Sequence, residues 1–478
     1  MHKIGGMILE DTIIALATPP GTGAISVIRI SGDHAVAVCA SCFEAAGGRK
    51  LAKQKSHTLH LGHIKDGERI IDEVLVSLFK APHSYTGEEV VEISCHGSVY
   101  IQQEILQLFL RKGCRMATAG EFTLRAFLNG KMDLSQAEAV ADLIASNSEA
   151  AHKVAMQQMR GGFSEDIKTL RGELLHFASL IELELDFAEE DVAFADREAL
   201  QALLIKIRET VRRLAASFAT GNVIKNGIPV AIAGAPNVGK STLLNGLLNE
   251  ERAIVSEIAG TTRDTVEDEI SLGGMLFRFI DTAGIRDTED VVERIGVQKT
   301  FEKMAQAQVI VYLFDLVLIQ NSEFRIQNLK MEMGKLKAKF PDKALLIVAN
   351  KTDALRPEEL TPLKKQLQEI IPAATGLLFI SAREKQGIDE LKERLLSYVN
   401  TGALQQQETI VTNVRHYEIL LKVLQEIGQV ETGLASGLSG DLLAIAIRQA
   451  LHYLGEITGQ VTQEDVLGNI FANFCIGK

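Results

Sequence analysis

The stretch IPVAIAGAPNVGKSTLLNGLL, residues 228–248, decides the fold of the central part of the chain. An apolar strand-like run leads directly into GAPNVGKS, which has the spacing G-x-x-x-x-G-K-[ST], and a helix-like run follows. Gly234 and Gly239 allow backbone N–H groups to converge on a phosphate at the start of that helix. Lys240 can then span the β- and γ-phosphates, and the Ser241 hydroxyl can ligate Mg²⁺. The sequence therefore predicts a phosphate loop that holds a nucleotide.

Two further motifs are expected to face the γ-phosphate. The first, DTAG at 281–284, follows the strand-like run MLFRFI. The Asp281 carboxylate can hold the Mg²⁺ shell, and the Gly284 N–H can contact the γ-phosphate. The second, GTTRD at 260–264, is expected to be a switch segment. One of its threonines, by order Thr262, can complete the Mg²⁺ coordination in the GTP state.

The motifs NKTD at 350–353 and SAR at 381–383 predict that the base is guanine. The carboxylate of Asp353 can accept hydrogen bonds from both guanine N1–H and N2–H, whereas adenine offers no such pair. The backbone of SAR is expected to support guanine O6. The predicted nucleotide contacts are Asn237, Val238, Gly239, Lys240, Ser241, Thr242, Asp281, Thr282, Ala283, Gly284, Asn350, Lys351, Asp353, Ser381, Ala382 and Arg383.

The residue after DTAG is Ile285. Signalling GTPases carry at this position a glutamine that orients the attacking water, and a hydrophobic side chain cannot do so. Either hydrolysis is slow or another group positions the water. Arg286 and Glu293 are the nearby candidates, although each could equally be a solvated helix charge.

Four stretches of the chain differ in their hydrophobic pattern. Residues 1–129 carry short strand-like runs with one helix-like run, which is typical of an α+β domain. Residues 130–226 and 401–478 show helical periodicity. The strand-like runs of residues 227–400 are almost continuously apolar, as a parallel sheet covered on both faces requires. We therefore predict a doubly wound α/β domain there, with a β-hairpin across Gly273-Gly274.

The two helical stretches are expected to form one bundle around the inserted α/β domain, because the ends of a nucleotide-binding domain can lie close together. The alternative is two independent helical domains. In the first helical stretch, Ser135 and Glu138 have the spacing of a capping box. Gly161-Gly162 is expected to bend or break the helical run.

Composition limits the possible partners and locations. The chain has 50 Lys and Arg against 62 Asp and Glu, a formal net charge of −12, so a nucleic acid has to meet a local basic patch. Glu10 and Asp11 interrupt the first apolar run, which predicts no secretory signal. The longest later run, 309–319, is broken by Asp315 and is too short for a bilayer. We expect a cytoplasmic protein that does not insert into a membrane.

The five cysteines do not predict a disulfide framework. Cys39-x-x-Cys42 could indicate a redox or zinc site, but no second pair at suitable spacing accompanies it. Two semi-buried thiols are the favoured interpretation.

With these motifs in place, the chain resembles the MnmE (TrmE) family of tRNA-modifying GTPases along essentially its whole length. The resemblance also rests on DTIIALATPPGTGAISVIRISG, YTGEEVVEISCHG, GEFTLRAFLNGKMDLSQAEAV and the terminal FCIGK. It implies a Ras-like P-loop GTPase domain inserted in a helical domain and preceded by an α+β domain that binds tetrahydrofolate and forms a homodimer.

The resemblance implies an activity as well. With the FAD-dependent partner MnmG, in a heterotetramer, the family adds an aminomethyl or carboxymethylaminomethyl group to C5 of the tRNA wobble uridine. A 5-formyl- or methylene-tetrahydrofolate supplies the one-carbon unit, and FAD is bound only by MnmG. GTP is hydrolysed to GDP with Mg²⁺ while K⁺ promotes the juxtaposition of two G domains.

Family positions can be transferred to matching residues. Asn237, Ser256, Ile258 and Thr261 resemble the K⁺ site, while Ser241 and Thr262 serve Mg²⁺. A monovalent cation beside the phosphates can neutralise transition-state charge. Glu293 matches the glutamate that orients water, which would answer the problem posed by Ile285.

The folate site is implied in the same way. Arg29, Glu92, Lys131 and Lys478 resemble the ligand-binding set. A carboxylate such as Glu92 can accept from the N–H and NH₂ edge of a pterin, and cations suit its glutamyl tail. The resemblance places Cys475 at this site as a catalytic thiol, and the alternative is that Cys475 packs as a small apolar residue.

A second function stays open at this point. A GTPase switch in ribosome or RNA assembly would use the same nucleotide motifs. It would not need a folate-type N-terminal domain or the CIGK tail, so these features favour tRNA modification.

Overall fold

The computed structural model describes residues 3–4, 7–8, 11–186, 197–251, 267–280, 301–320, 322–371, 376–398, 409–461, 464–472 and 474–477. The chain forms two compact units. The first, unit 1, comprises Met1–Ala145, Ala155–Ala215 and Arg415–Lys478. The second, unit 2, comprises Ser146–Val154 and Ala216–Val414, so most of unit 2 is inserted between two segments of unit 1.

The main sheet of unit 1 has seven strands, which lie in the order β5-β6-β7-β8-β4-β3-β9. All neighbouring strands are antiparallel except β3 and β9, which are parallel. A separate two-stranded ladder, β1 (Lys3–Ile4) with β2 (Met7–Ile8), precedes it. The seven strands are β3 (Ile13–Leu16), β4 (Ile25–Ser31), β5 (Phe43–Ala45), β6 (Thr58–Asp66), β7 (Arg69–Phe79), β8 (Val90–His96) and β9 (Arg115–Met116).

One face of this sheet packs against helices α1 (Ala35–Cys42) and α2 (Val99–Arg111). Alternate strand residues point to this core, as the period of two requires. The opposite face carries exposed apolar side chains, which include Ile25, Leu61 and Leu75. The expected α+β domain is therefore confirmed. The second face, called the open face below, is exposed over β6 and β7 and is covered by Phe122 at β3.

The Cys39 and Cys42 thiols lie in this core as free, buried groups. Burial raises the pKa of Cys39, since the thiolate would lose its hydration there. Both thiols are therefore free, as favoured above, but fully buried where semi-buried thiols were expected. Within the described ranges, no cluster of three or more His, Cys, Asp or Glu side chains could hold a metal ion.

The helical part of the chain comes from two distant stretches. Its helices are α3 (Glu121–Leu128), α4 (Leu134–Ala145), α5 (Glu149–Met159), α6 (Gly162–Asp186), α7 (Arg197–Asn226), α13 (Val414–Ala435), α14 (Gly440–Thr458) and α15 (Glu464–Ala472). Helix α14 packs along α6, and Arg208 of α7 forms an ion pair of 2.8 Å with Glu431 of α13. The prediction of one bundle is confirmed, and the alternative of two independent helical domains is wrong.

The start of α4 differs from the prediction. Asp133 Oδ1 accepts from the Gln136 N–H at 3.1 Å, and Gln136 Oε1 accepts from the Asp133 N–H at 3.0 Å. Asp133 and Gln136 thus form the capping box, and Ser135 lies inside the helix. Glu138 is buried in an ion-paired cluster and cannot reach back to the helix start. The break at Gly161-Gly162 is confirmed, with Gly161 at φ +91°.

Unit 2 holds a six-stranded sheet in the order β11-β12-β10-β13-β14-β15. All pairs are parallel except β11 and β12, the predicted hairpin, in which Gly273 and Gly274 both have positive φ. The strands are β10 (Ile228–Ala233), β11 (Glu267–Leu272), β12 (Met275–Ile280), β13 (Val309–Asp315), β14 (Ala344–Asn350) and β15 (Leu377–Phe379).

Helices cover both faces of this sheet. They are α8 (Lys240–Glu251), α9 (Leu316–Ile319), α10 (Glu323–Lys339), α11 (Pro357–Ile370) and α12 (Ile388–Ser397). Within β14, Leu346 and Val348 pack into a cluster with α8 and α12, whereas Ile347 and Ala349 pack with α10 and α11. The doubly wound α/β prediction is confirmed. None of the described helices has the length and hydropathy needed to cross a bilayer.

Candidate functional site

The phosphate loop lies between the end of β10 and the start of α8. Gly234 has φ +148°, and a Cβ there would be 2.0 Å from the Leu313 carbonyl oxygen. Gly239 has φ +99°, and a Cβ there would be 2.4 Å from Asn350 Nδ2. Neither position can therefore hold a larger residue without moving the loop. Asn237 between them also has a positive φ, +62°.

The side chains at the start of α8 suit a phosphate and its counter-ion. Lys240 Nζ donates to the carbonyl oxygens of Gly234 and Ala235, both at 2.9 Å, so its charge lies against the loop. Ser241 and Thr242 are exposed in the first helical turn. A hydroxyl oxygen is a ligand that Mg²⁺ accepts, so the donor set of this turn fits that ion.

Asn350, at the end of β14, ties two of the predicted motifs together. Its Nδ2 donates to the Val238 carbonyl oxygen at 2.8 Å, and its Oδ1 accepts from the Ala382 N–H at 2.9 Å. The side chain is almost completely buried. Asn350 therefore fixes the phosphate loop against the SAR segment, because both polar ends of its amide are used within the protein.

Lys351 bridges the phosphate loop and a carboxylate that no sequence motif contains. Its Nζ donates to the Asn237 carbonyl oxygen at 2.9 Å and lies 2.7 Å from Asp315 Oδ2. Strands β13 and β14 place Asp315 directly opposite Asn350. The sequence offered one signal for this role of Asp315: it is the single acidic residue in the apolar run 309–319 and stands at the end of a strand.

Asp353 and Ser381 form the predicted base-binding corner. The Ser381 hydroxyl donates to Asp353 Oδ1 at 2.6 Å and accepts from the Glu384 N–H at 3.1 Å. Asp353 is exposed, and its Oδ2 has no hydrogen-bond partner among the described residues. The carboxylate is thus oriented, and both Oδ2 and the second lone pair of Oδ1 can accept the two donors of a ligand. Arg383 is largely exposed and lies 3.8 Å from Glu384.

Part of the predicted set falls outside the described residues. It comprises Ser256, Ile258, Thr261, Thr262, Asp281, Thr282, Ala283, Gly284, Ile285, Arg286, Glu293 and Lys478. Their predicted roles in K⁺ binding, Mg²⁺ binding, water orientation and folate binding stay predictions.

A second candidate site lies in unit 1, on the open face of the seven-stranded sheet. Arg29 and Glu92 are directly opposite each other on β4 and β8. Arg29 Nε donates to Glu92 Oε1 at 2.9 Å, and Nη2 lies 2.8 Å from the same oxygen. The Arg29 guanidinium carbon is 5.4 Å from the Tyr85 ring centroid and 5.6 Å from that of Phe122. Two of the predicted folate residues are therefore brought together.

The C-terminal tail, defined here as residues 474–477, docks beside this pair. Ile476 pairs with Ala119 in an antiparallel bridge, and the Gly120 N–H donates to the Cys475 carbonyl oxygen at 3.4 Å. Arg29 Nη1 donates to the Gly477 carbonyl oxygen at 3.3 Å. Three successive residues, 475–477, are therefore held against the sheet domain.

The remaining folate-site residues differ in their surroundings. Cys475 is exposed, whereas the chain's other four cysteines are buried, so the alternative that Cys475 packs as an apolar residue is wrong. Lys131 is exposed, and its Nζ donates to the Pro82 carbonyl oxygen at 3.0 Å. Its ammonium group therefore lies on the outside of unit 1.

Helix α3 carries a buried ionic network that sequence reasoning missed. Arg125, only 1% exposed, lies 2.7 Å from Asp11 Oδ1 and 3.0 Å from Glu121 Oε1. Burial alone would raise the pKa of Glu121, but hydrogen bonds from Arg115 and the Thr118 N–H outweigh it and lower that pKa. The network holds α3 in place, and with it the Phe122 ring and the start of the helix, where the tail docks.

Comparison with known proteins identifies the family of the chain. The family described as "MnmE helical domain" matches residues 134–475, and "GTP-binding protein TrmE N-terminus" matches residues 12–131. A protein named tRNA modification GTPase MnmE from Christiangramia forsetii is 66% identical over 474 residues, which cover 99% of this chain and 100% of the relative. The protein of the same name from Flavobacterium psychrophilum is 65% identical over 474 residues, which cover 99% of this chain and 100% of the relative. The one from Bacteroides fragilis is 52% identical over 470 residues, which cover 98% of this chain and 100% of the relative.

Among solved structures, the FeoB G-domain from Methanococcus jannaschii covers 36% of this chain and 97% of its own at 26% identity, with a TM-score of 0.25. That score is too low to support a conclusion. The full-length sequence relatives are decisive, since two thirds of the aligned residues are identical in the first of them. The chain belongs to the MnmE family of tRNA modification GTPases.

Proposed function

We propose that the chain is a GTP-hydrolysing enzyme of tRNA modification, which binds GTP and GDP with Mg²⁺ in unit 2. The main structural support for the nucleotide site is that the Asn350 side chain joins the phosphate loop to the SAR segment through two hydrogen bonds. Relatives named tRNA modification GTPase, identical at up to 66% of positions, supply the link to tRNA.

The described residues have separate tasks at the nucleotide. Lys240 leaves the loop carbonyls and pairs with the β- and γ-phosphates, while the backbone N–H groups of the loop and the start of α8 receive the phosphate oxygens. Ser241 offers its hydroxyl to Mg²⁺, with Thr262 and Asp281 as the other predicted protein groups. Asp353 accepts the two N–H donors of guanine.

A potassium ion is proposed next to the phosphates, held by Asn237, Ser256, Ile258 and Thr261. When bound there, K⁺ would supply positive charge where the transition state gains negative charge. Support comes from Asn237, which is exposed between the two glycines of the loop and has a φ of +62°. Glu293 is proposed to orient the attacking water.

A tetrahydrofolate is proposed to bind at Arg29 and Glu92 in unit 1. Glu92 fits a pterin, because Arg29 contacts only Oε1, while Oε2 has no partner among the described residues and the side chain is partly exposed. That oxygen can accept from the N–H and NH₂ edge. Lys131 and Lys478 would meet the glutamyl tail, and the exposed Cys475 thiol lies in the tail that docks at Arg29.

The complete reaction needs a partner. A 5-formyl- or methylene-tetrahydrofolate would supply the one-carbon unit, and the FAD-dependent protein MnmG would supply the redox cofactor. Together they would place an aminomethyl or carboxymethylaminomethyl group on C5 of the wobble uridine of tRNA.

A homodimer through unit 1 is part of the proposal. The open sheet face has exposed Leu61 and Leu75 paired with each other across β6 and β7, and exposed Leu59 lies two residues before Leu61 on β6. A surface of this kind on a sheet is typical of a protein interface. A second copy of the chain is the proposed occupant, and a heterotetramer would then contain two copies of MnmG.

Two measurements test the proposed function. The GTPase rate should rise when K⁺ replaces Na⁺ at equal ionic strength, and indifference to K⁺ would remove the assignment of Asn237. Nucleoside mass spectrometry of tRNA from cells without the protein should show loss of the wobble-uridine modification. Unchanged wobble uridines would contradict the tRNA assignment and favour a switch in ribosome or RNA assembly.

A further inference from the structure

One guanidinium, that of Arg29, contacts both Glu92 and the C-terminal tail. Its Nε and Nη2 are directed at Glu92 Oε1, at 2.9 and 2.8 Å. Its third nitrogen, Nη1, donates to the Gly477 carbonyl oxygen at 3.3 Å. All three nitrogens are therefore engaged, and the same planar group serves two segments, one of which lies 448 positions from Arg29 in sequence.

The surroundings of Arg29 limit its orientation. The guanidinium lies near the rings of Tyr85 and Phe122, at 5.4 and 5.6 Å, and the side chain is largely buried. A guanidinium is rigid and planar, so fixing two of its nitrogens on a carboxylate also fixes the direction of the third. The position of Glu92 thus determines where Nη1 meets the tail.

The tail has few other polar contacts. The described ones are the antiparallel bridge between Ala119 and Ile476, which includes the 3.4 Å hydrogen bond from the Gly120 N–H to the Cys475 carbonyl oxygen, and a 3.0 Å hydrogen bond from the Phe474 N–H to the Phe471 carbonyl oxygen. Gly477 packs tightly, since a Cβ there would be 2.4 Å from the Leu16 carbonyl oxygen. Arg29 adds to these a contact with a charged donor, at the last described residue of the tail.

We propose that Arg29 is a positioning residue that couples the folate pocket to the C-terminal tail. This inference rests on the proposed folate function. A ligand whose N–H groups bind Glu92 Oε2 would fix the carboxylate, which holds Arg29 and so holds the Gly477 carbonyl group. The coupling is reciprocal: the ligand stabilises the docked tail, and the docked tail strengthens ligand binding.

Hydrogen exchange of the terminal peptide, followed by mass spectrometry on the full-length protein, tests the anchoring step without folate. Arg29→Met should make the amides of this peptide exchange about tenfold faster, because a hydrogen bond from a charged donor is lost. Arg111→Met is the matched control, since Arg111 pairs with Asp66 on the surface of the same sheet domain. Unchanged tail exchange in Arg29→Met would overturn the inference.

Arg29→Lys separates coupling from simple ligand binding. The lysine ammonium keeps the charge beside Glu92 but cannot span Glu92 and Gly477 together. In the unsubstituted protein, 5-formyltetrahydrofolate should slow tail exchange by about fivefold or more. Arg29→Lys should bind this folate more tightly than Arg29→Met, as calorimetry would show, and yet transmit no protection to the tail. Protection that persists in Arg29→Lys would overturn the coupling.

The failures of the two proposals are distinguishable. If the unsubstituted protein does not bind 5-formyltetrahydrofolate, the proposed folate function is overturned and the coupling with it. If it binds this folate and tail exchange does not change, the coupling alone is overturned. Far-UV circular dichroism of the Arg29 variants establishes that they fold, and Arg29→Lys remains informative if Arg29→Met does not.

Discussion

Lys351 lies between the phosphate loop and Asp315, and its two contacts show what a single side chain contributes to the nucleotide site. The Asp315 carboxylate holds the ammonium group at 2.7 Å, while Lys351 donates to Asn237 of the loop. Asp315 also caps α9 by accepting from the Val317 N–H at 2.9 Å. One carboxylate oxygen thus caps the helix and the other pairs with Lys351. Replacing the carboxylate by an amide keeps the first contact and removes the charge of the second.

Asp315→Asn should weaken GDP binding while preserving the fold. The amide oxygen can still accept from the Val317 N–H, but the charge that holds Lys351 is lost. Because Lys351 is partly exposed and solvent screens the pair, we expect a loss of about three- to tenfold in affinity. Isothermal titration calorimetry with GDP would measure it. Asp389→Asn, in a surface pair with Lys392, is the control. Equal GDP affinities of the unsubstituted protein, Asp315→Asn and Asp389→Asn would contradict the role of Asp315.

Glu138 is a second residue whose partners decide its behaviour. It lies 2.8 Å from Arg415 Nη2 and 2.7 Å from His416 Nε2 in a buried cluster. Burial opposes its ionisation, but the charge and hydrogen bond of His416, and those of Arg415, lower the pKa of Glu138 to about 2. A folded-state pKa below the unfolded value stabilises the protein above the unfolded pKa, and this stabilisation is lost as pH falls.

Glu138→Gln should lower the free energy of unfolding by about 3 kcal/mol at pH 7, because the Arg415 guanidinium loses its buried carboxylate partner. The difference between the two proteins should shrink by about 1.4 kcal/mol at pH 3.5, since the unfolded carboxyl binds a proton there and the folded one does not. Urea unfolding of both proteins at the two pH values would measure this. A difference that is independent of pH would show that the carboxylate charge is not the cause.

At the scale of a segment, docking of the C-terminal tail depends on the close approach of Gly477 to the backbone of Leu16. Gly477 has φ +99°, and its Cα faces the Leu16 carbonyl oxygen. A methyl group has no room there, and the adjacent bridge between Ala119 and Ile476 is too short to compensate.

Gly477→Ala should undock the tail without unfolding either unit. We expect wobble-uridine modification by the reconstituted enzyme to fall about tenfold or more, while the GTPase rate stays the same, because steric strain of about 1–3 kcal/mol falls on the tail alone. Gly113→Ala is the matched control, since Gly113 has φ +96° and a methyl group added there would have nothing within 4 Å. Equal loss in both variants would point to backbone strain in general.

For the whole molecule, the open sheet face of unit 1 is the feature that concerns assembly. Leu61 and Leu75 are adjacent on neighbouring strands and both exposed. Burial of such side chains contributes about 1.5–3 kcal/mol each, so a charge at their centre should prevent association.

Leu75→Glu should convert the proposed homodimer to a monomer with unchanged GDP affinity. Light scattering coupled to size exclusion would measure the mass. Phe324→Glu is the control, because Phe324 is an exposed apolar residue of unit 2. Dimers that survive Leu75→Glu would place the interface elsewhere.

Much of this protein follows from local spacing. The phosphate loop, NKTD and SAR could be predicted because each motif keeps its chemistry within a few consecutive residues between a strand and a helix. The parallel sheet also followed from its apolar strands, and the bundle from helical periodicity. The capping box was misplaced because Asp133-x-x-Gln136 and Ser135-x-x-Glu138 both match the pattern, and only the burial of Glu138 distinguishes them.

The contacts between distant residues needed the folded chain. Arg29 with Gly477, Glu138 with His416 and Lys351 with Asp315 are pairs that come together only after whole strands and helices have packed. A motif shows which functional groups a segment contains, because these groups are close together along the chain. It cannot report which carbonyl or carboxylate a buried cation will meet, because the packing of entire elements sets that distance.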